Sequence, residues 1–234
     1  VNRRFVLIPA AGVGSRAGTA VPKQYVPVLG LPLLAHSVRA FLACPAVDFV
    51  LVVLAPGDGW GLSADADTLL ASAGGRLEFA NVGGETRARS VRQGLAHLGT
   101  RVAGDDWVLV HDAARPCITP QAIAGLIDAL VDDPVGGLLA QPVADTVKRS
   151  DAAGRVAATV VRDGLWLAQT PQMFRSALLG RAYAAHPGAT DEAGAVEALG
   201  LSPRLVGGPA DNFKVTFPED IVRAERVLAA SRAG

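Results

Sequence analysis

The sequence predicts an α/β fold, a mainly parallel sheet flanked by helices. Apolar runs of strand length alternate with amphipathic helical runs, as in a parallel sheet covered on both faces, and 234 residues suffice to bury the core of one such domain. Strands are expected at Phe5 to Ile8, Phe49 to Leu54, Leu77 to Val82, Trp107 to Val110 and Leu138 to Val143. Pro32 opens one intervening helix, and Ser63 caps another that stops at Gly74 and Gly75. Thr119 with Pro120 reads as an N-cap followed by proline at the first helical position. After Val135 the rhythm changes. Pro142 to Arg149 and Ala157 to Arg162 flank a polar, glycine-containing turn, which predicts a β-hairpin projecting from the core as an arm at about 142–162 of a single domain spanning 1–234. An exposed hairpin needs a cover, and a second copy of the chain is the simplest one. Helices follow at Ser176 to Ala185 and Asp191 to Leu199, then a strand at Arg204 to Val206 and a closing helix from Pro218.

The balance of 22 basic and 22 acidic residues gives no sign of a nucleic-acid or membrane-surface partner, so any anion must be bound locally. Two cysteines, Cys44 and Cys117, are too few for a disulfide framework or a cysteine-based metal site, and they fit a reduced cytoplasm. The apolar run near the start is broken at Pro9, unlike a signal peptide, and no stretch approaches the roughly 20 apolar residues of a membrane span. A cytoplasmic protein is expected.

The first strand runs into Pro9-Ala-Ala-Gly-Val-Gly-Ser-Arg16, and Pro22-Lys23-Gln24 follows a short polar stretch. Such a loop lies at the carboxyl end of a strand, where open parallel sheets bind ligands. Small residues let backbone N–H groups approach phosphate oxygens, while Arg16 and Lys23 can neutralise a triphosphate. A dinucleotide-binding fingerprint is excluded because Ala17 stands where the third glycine belongs and no acidic residue ends the second strand. A P-loop is excluded because Thr19 and Ala20 follow Gly18. The blander alternative is an ordinary strand-to-helix turn with solvated cations.

A second constellation, Val108-Leu-Val-His-Asp-Ala-Ala-Arg-Pro116, is an apolar strand ending abruptly in polar residues. Asp112 can meet a Mg²⁺, its waters or a substrate hydroxyl, or cap the loop, and Arg115 can meet a second phosphate. His111 reads as a satisfied buried imidazole, and no Ser/His/Asp set points to a hydrolase. The segment Gly83-Gly-Glu-Thr-Arg-Ala-Arg-Ser90 opens a helix whose N-terminus and hydroxyl can read a base edge or an anion. Arg87 and Arg89 also read as solvated helix residues, Arg89 above all. Lys214, inside the apolar, strand-like run Asp211 to Val215, reads as a buried lysine wanting an anionic partner.

These motifs, with ADTVKR, RDGLWLAQTPQ, ATDE and DNFKVT, span nearly the whole chain in order and resemble the 2-C-methyl-D-erythritol 4-phosphate cytidylyltransferases of isoprenoid biosynthesis. The resemblance implies a Rossmann-like nucleotidyltransferase fold and a homodimer whose hairpin arms are exchanged to complete each other's sites. It implies that Ala10, Ala11, Gly12, Gly84, Arg87, Ser90 and Ala113 surround CTP, with Gly83 to Ser90 recognising cytosine. Arg16, Lys23 and Lys214 become the catalytic cations, Lys214 also sharing the methylerythritol phosphate side with Asp112 and Arg115. Thr146, Arg162 and Thr170 are expected to reach the substrate phosphate from the other subunit. Mg²⁺ is the implied cofactor, held mainly by the CTP phosphates with Asp112 as its protein contact. The implied reaction is in-line attack of a phosphate oxygen on the α-phosphorus of CTP, for which positioning and charge stabilisation are enough.

Ser15 stands where some relatives carry another basic residue, and the cyclodiphosphate synthase domain to which some relatives are fused is not expected here. A cytidylyltransferase for another polyol phosphate, such as ribitol 5-phosphate, is the nearest alternative. A non-catalytic nucleotide-binding module is an alternative of a different class.

Overall fold

The computed structural model describes residues 2–12 and 21–233. A seven-stranded sheet forms the centre. Its strands are β1 (Arg4–Pro9), β4 (Phe49–Val53), β5 (Leu77–Ala80), β6 (Trp107–Val110), β7 (Gly136–Pro142), β10 (Trp166–Arg175) and β11 (Arg204–Gly207), in the order β11-β7-β10-β6-β1-β4-β5. Among these, β10 alone runs antiparallel to its neighbours, pairing with β6 on one side and β7 on the other. Two short ladders lie apart: β2 (Pro27–Val28) with β3 (Leu31–Pro32), and β8 (Val147–Ser150) with β9 (Val156–Val160).

Side-chain alternation along continuously apolar strands feeds two cores, one on each face. Val6, Ile8, Val50, Val52, Trp107 and Leu109 pack on one face with α1 (Leu33–Leu42), α2 (Ala64–Ser72) and α4 (Pro120–Leu130). Phe5, Leu7, Leu51, Val53, Val108 and Val110 pack on the other with α3 (Arg87–Leu98), α5 (Ser176–Ala185) and α6 (Glu192–Glu197). A smaller cluster around Val28, Leu33, Cys117 and Val215 seats the closing helix α7 (Pro218–Ala233) through Ala224.

The helix starts follow their capping chemistry. Ser63 Oγ accepts from Ala66 N at 3.2 Å and Thr119 Oγ1 from Ala122 N at 3.2 Å, so each hydroxyl satisfies an otherwise unpaired N–H. One strand of the seven-stranded sheet, β10, is absent from the sequence reading. Its middle, Gln169 to Gln172, is polar and contains Pro171, which argues against a central strand. Tertiary packing prevails: the register against β7 shifts between Ala168 and Gln172, and Gln169, Thr170 and Gln172 are buried with hydrogen-bond partners.

The expected strand at Asp211 to Val215 does not form; that stretch lies outside every sheet and is held by the Asn212 side chain on Gln169 and Thr170 and by the Val215 N–H on Ala114 O. The hairpin forms as expected, with β8 and β9 joined to each other and to no strand of the main sheet. Lys148 Nζ donates to Thr159 Oγ1 across it at 2.7 Å, and almost all of its residues are exposed.

Candidate active site

Loops leaving the carboxyl ends of β1, β5 and β6 converge with the segment before α7 around a cavity of about 260 Å³. The strand order places it where β1, β4 and β5 continue to one side and β6 to the other, the switch point at which open α/β sheets take ligands. Its walls include Ala10, Ala11, Gly12, Lys23, Gly84, Arg87, Ser90, Asp112, Ala113 and Lys214. The fold therefore gathers residues separated by more than 200 positions. Arg16 lies outside the described residues. Thr146 and Arg162 lie on the hairpin, exposed and away from this cavity's lining, with Arg162 donating to the Ala144 carbonyl.

The cradle is braced by a residue to which the sequence reading assigned no role. Gln24, nearly buried, donates through Nε2 to Ala10 O at 2.8 Å and to Gly12 O at 2.9 Å, tying the first loop to the short turn Lys23–Tyr25. Gln24, in the Pro22-Lys23-Gln24 run, is the sequence signal for this brace. Gly83 explains how the second wall comes so close. A Cβ there would stand 2.3 Å from Ala11 Cβ and 2.6 Å from Leu54 O, so only glycine lets the two loops touch. Ser90 holds the turn itself: its Oγ accepts from Gly84 N at 3.1 Å and lies within donating distance of Gly84 O and Thr86 O.

Arg87 and Arg89 separate sharply. Arg89 is exposed, 3.9 Å from Glu85, as a solvated helix residue. Arg87 instead points inward, donating through Nε to Asp112 Oδ1 at 2.8 Å and through its two Nη groups to Glu192 at 2.7 and 2.8 Å. Tyr183 Oη donates to the same glutamate at 2.7 Å, and Lys214 Nζ to Asp112 Oδ2 at 2.7 Å. Opposite charges thus alternate along a line from the core to the cavity: Glu192, Arg87, Asp112, Lys214. Burial opposes the Asp112 charge, but Arg87 and Lys214 outweigh it and hold its carboxyl well below the usual range. Burial likewise opposes the Arg87 charge, and Glu192 and Asp112 more than offset it, raising its pKa.

Other placements revise the sequence reading. Lys214 is not buried; its side chain is 42% exposed at the cavity mouth, and its anionic partner is Asp112. Arg115 sits beneath the cavity, donating to Asn212 O at 2.7 Å and Ala168 O at 3.2 Å, so its guanidinium braces two backbone segments. Thr170, expected to reach across from another subunit, is buried in its own chain. Its Oγ1 accepts from Asp112 N at 3.0 Å and lies 3.0 Å from His111 Nδ1, because β10 runs directly beside β6. His111 is fully buried with Nε2 3.2 Å from Arg115 O, and burial lowers its pKa to about 4. Lys23 Nζ donates to Val215 O at 2.7 Å, which brings the two lysine-bearing segments together.

No group of three or more His, Cys, Asp or Glu among the described residues could hold a metal ion. The single ionised carboxylate of Asp112 fits a Mg²⁺ that takes most of its oxygens from phosphates and water, and does not fit an all-protein cage.

Comparison with known proteins agrees with this geometry. The family model described as 2-C-methyl-D-erythritol 4-phosphate cytidylyltransferase matches residues 5–230. The chain is 56% identical over 236 residues to the protein of that name from Laribacter hongkongensis, covering all of both chains. It is 54% identical to the one from Chromobacterium violaceum, over 97% of this chain and 98% of that one. A crystal structure of a 4-diphosphocytidyl-2C-methyl-D-erythritol synthase superposes with a TM-score of 0.85 at 41% identity, over 97% of this chain and 99% of that one. The Francisella tularensis cytidylyltransferase does so with a TM-score of 0.79 at 33% identity, over 97% and 100%.

Proposed function

The chain belongs to the 2-C-methyl-D-erythritol 4-phosphate cytidylyltransferase family, and we propose that the cavity between the Ala10 loop and Lys214 is where it performs that family's reaction. It transfers CMP from CTP to 2-C-methyl-D-erythritol 4-phosphate in isoprenoid biosynthesis, giving 4-diphosphocytidyl-2-C-methyl-D-erythritol and pyrophosphate. The observation that carries the site assignment is the meeting, in one cavity, of a small-residue cradle, Lys23 and the Asp112–Lys214 ion pair.

In this reading Ala10, Ala11 and Gly12 admit the triphosphate, and the turn at Gly84, held by Ser90, faces the base beside Ala113. Asp112 and Lys214 meet the polyol phosphate. A phosphate oxygen of that substrate forms a bond to the α-phosphorus while the bond from that phosphorus to the β-phosphate bridge breaks, and the electron pair leaves with pyrophosphate. The attacking phosphate has a second pKa of about 6, so it is largely dianionic at neutral pH and requires no general base. His111, buried with both ring nitrogens in hydrogen-bonding contact, is accordingly kept out of proton transfer. Lys23 and Lys214, with Arg16, stabilise charge that grows on the transferring group and the departing pyrophosphate. An ammonium has three donors, so Lys23 can meet a phosphate oxygen from its place beside the Val215 carbonyl. Asp112 would hold a Mg²⁺ brought by the CTP phosphates, through its carboxylate or a bound water, and the ion would supply neutralisation of phosphate charge.

The same reading makes the enzyme a homodimer with exchanged arms. Supporting it, the hairpin region presents Val156, Val161, Trp166 and Leu167 to solvent, an apolar set that a second copy would cover. Thr146 and Arg162 lie on that arm away from the cavity of their own chain, where they are free to serve a partner's cavity. Two free, buried thiols, Cys44 and Cys117, fit a reducing cytoplasm.

A paired assay tests the substrate. Pyrophosphate release from CTP is expected with 2-C-methyl-D-erythritol 4-phosphate, and turnover with ribitol 5-phosphate alone would overturn the assignment.

A further inference from the structure

We infer that Glu192 is a positioning residue for the transfer reaction, holding Arg87 so that Asp112 presents Lys214 to the polyol phosphate. Glu192 is fully buried at the first position of α6, and its backbone is anchored from two sides. Asp191 Oδ1 accepts from Gly194 N at 3.0 Å as the helix cap, while Asp191 Oδ2 accepts from Gln172 Nε2 at 2.9 Å. Gln172 Oε1 in turn accepts from Ala193 N at 2.8 Å, so β10 clamps the helix start. The carboxylate therefore stands on rigid backbone and is set there by the two Arg87 bonds, with Tyr183 Oη a further donor at 2.7 Å.

Arg87 has three donor directions and divides them between two carboxylates: both Nη groups go to Glu192, and only Nε to Asp112. That division leaves Asp112 Oδ2 for Lys214 at 2.7 Å. A guanidinium prefers a bidentate carboxylate partner. Without the Glu192 charge, Asp112 is the anion left to Arg87, and the bidentate pair re-forms there, pulling Oδ2 away from Lys214. Glu192 thus acts at a distance through a chain of direct contacts, without touching substrate.

This inference rests on the reading that Lys214 holds the polyol phosphate, and the test separates the two. Steady-state kinetics of the full-length enzyme are compared for Glu192→Gln, Lys214→Ala, their double variant and Tyr183→Phe. Glu192→Gln keeps the side-chain shape and is expected to lower kcat/KM for the polyol phosphate roughly tenfold or more, with KM for CTP moving less than about threefold. In the Lys214→Ala background the same substitution should cost less than about twofold, because residues acting through one another are not additive. Tyr183→Phe removes a buried hydrogen bond yet leaves Glu192 on Arg87, so it should lower the unfolding midpoint and leave kcat/KM within about twofold. If Glu192→Gln loses the same factor with and without Lys214, or if Tyr183→Phe matches its kinetic loss, Glu192 is only structural and the inference fails. If Lys214→Ala alone leaves the polyol phosphate kinetics unchanged, it is the assignment of Lys214 that fails.

Discussion

Arg87 Nε stands 2.8 Å from Asp112 Oδ1, so a residue expected at the nucleotide reaches past it to the carboxylate on the substrate side. The pair joins the two loops that follow β5 and β6 with a charge-assisted bond. Breaking a buried ion pair by removing one partner costs about 3–5 kcal/mol, far more than a surface pair. Asp112→Asn is therefore expected to lower the urea midpoint with an unchanged m value, besides lowering kcat. An unfolding curve superimposable on that of the unaltered enzyme would show that the pair contributes nothing net.

Lys23 Nζ donates to Val215 O at 2.7 Å, and its proposed role is to donate to a phosphate oxygen as well. A donor acting chiefly in the transition state carries roughly 10²- to 10³-fold in kcat. Lys23→Ala should show that loss with little change in KM for CTP. An effect confined to KM would mark simple ground-state binding.

Arg162 is expected to act in another subunit's site. Its loss removes a charge-assisted contact of about 1.5–3 kcal/mol, so Arg162→Ala should raise KM for the polyol phosphate by roughly 10- to 100-fold with CTP binding intact. Mixing Arg162→Ala with Lys23→Ala chains should restore activity, since one site of the mixed dimer then holds both unaltered residues. Sedimentation checks the dimer, and a fully active monomer would refute the shared site.

His111 links pH to stability. Burial lowers its folded pKa to about 4, below the value of about 6.5 it takes when unfolded. The unfolded chain therefore binds the proton first as pH falls. The contribution of the neutral imidazole is complete above pH 6.5 and drains away toward pH 4. Between pH 7 and pH 4.5 that is about 2–3 kcal/mol. His111→Asn, unable to titrate there, should lose that much less stability over the interval, read from urea unfolding at each pH.

Much of this protein is legible residue by residue. Continuous apolar runs place β1, β4 and β6, because burial on both faces leaves no room for polar alternation. Ser63 and Thr119 announce their helices because capping is local chemistry. The hairpin is legible from its polar turn and changed rhythm. Small residues near Pro9, abrupt charge after Val110 and the lysine in Asp211 to Val215 mark three walls of one site before any wall is in place.

Tertiary structure alone decided how those walls are tied together. Nothing local in Thr190-Asp-Glu192 shows that Glu192 lies under Arg87, 105 positions earlier, since only the stacking of α6 on α3's side of the sheet brings them to 2.7 Å. Strand β10 is likewise unreadable along the chain: its buried glutamines and threonine look like loop until Asn212, Asp191 and the Asp112 N–H supply their partners. Apolar burial and capping depend on near neighbours in sequence, and so can be read there. Pairing buried charge depends on which distant segments share the interior, and the folded sheet decides that.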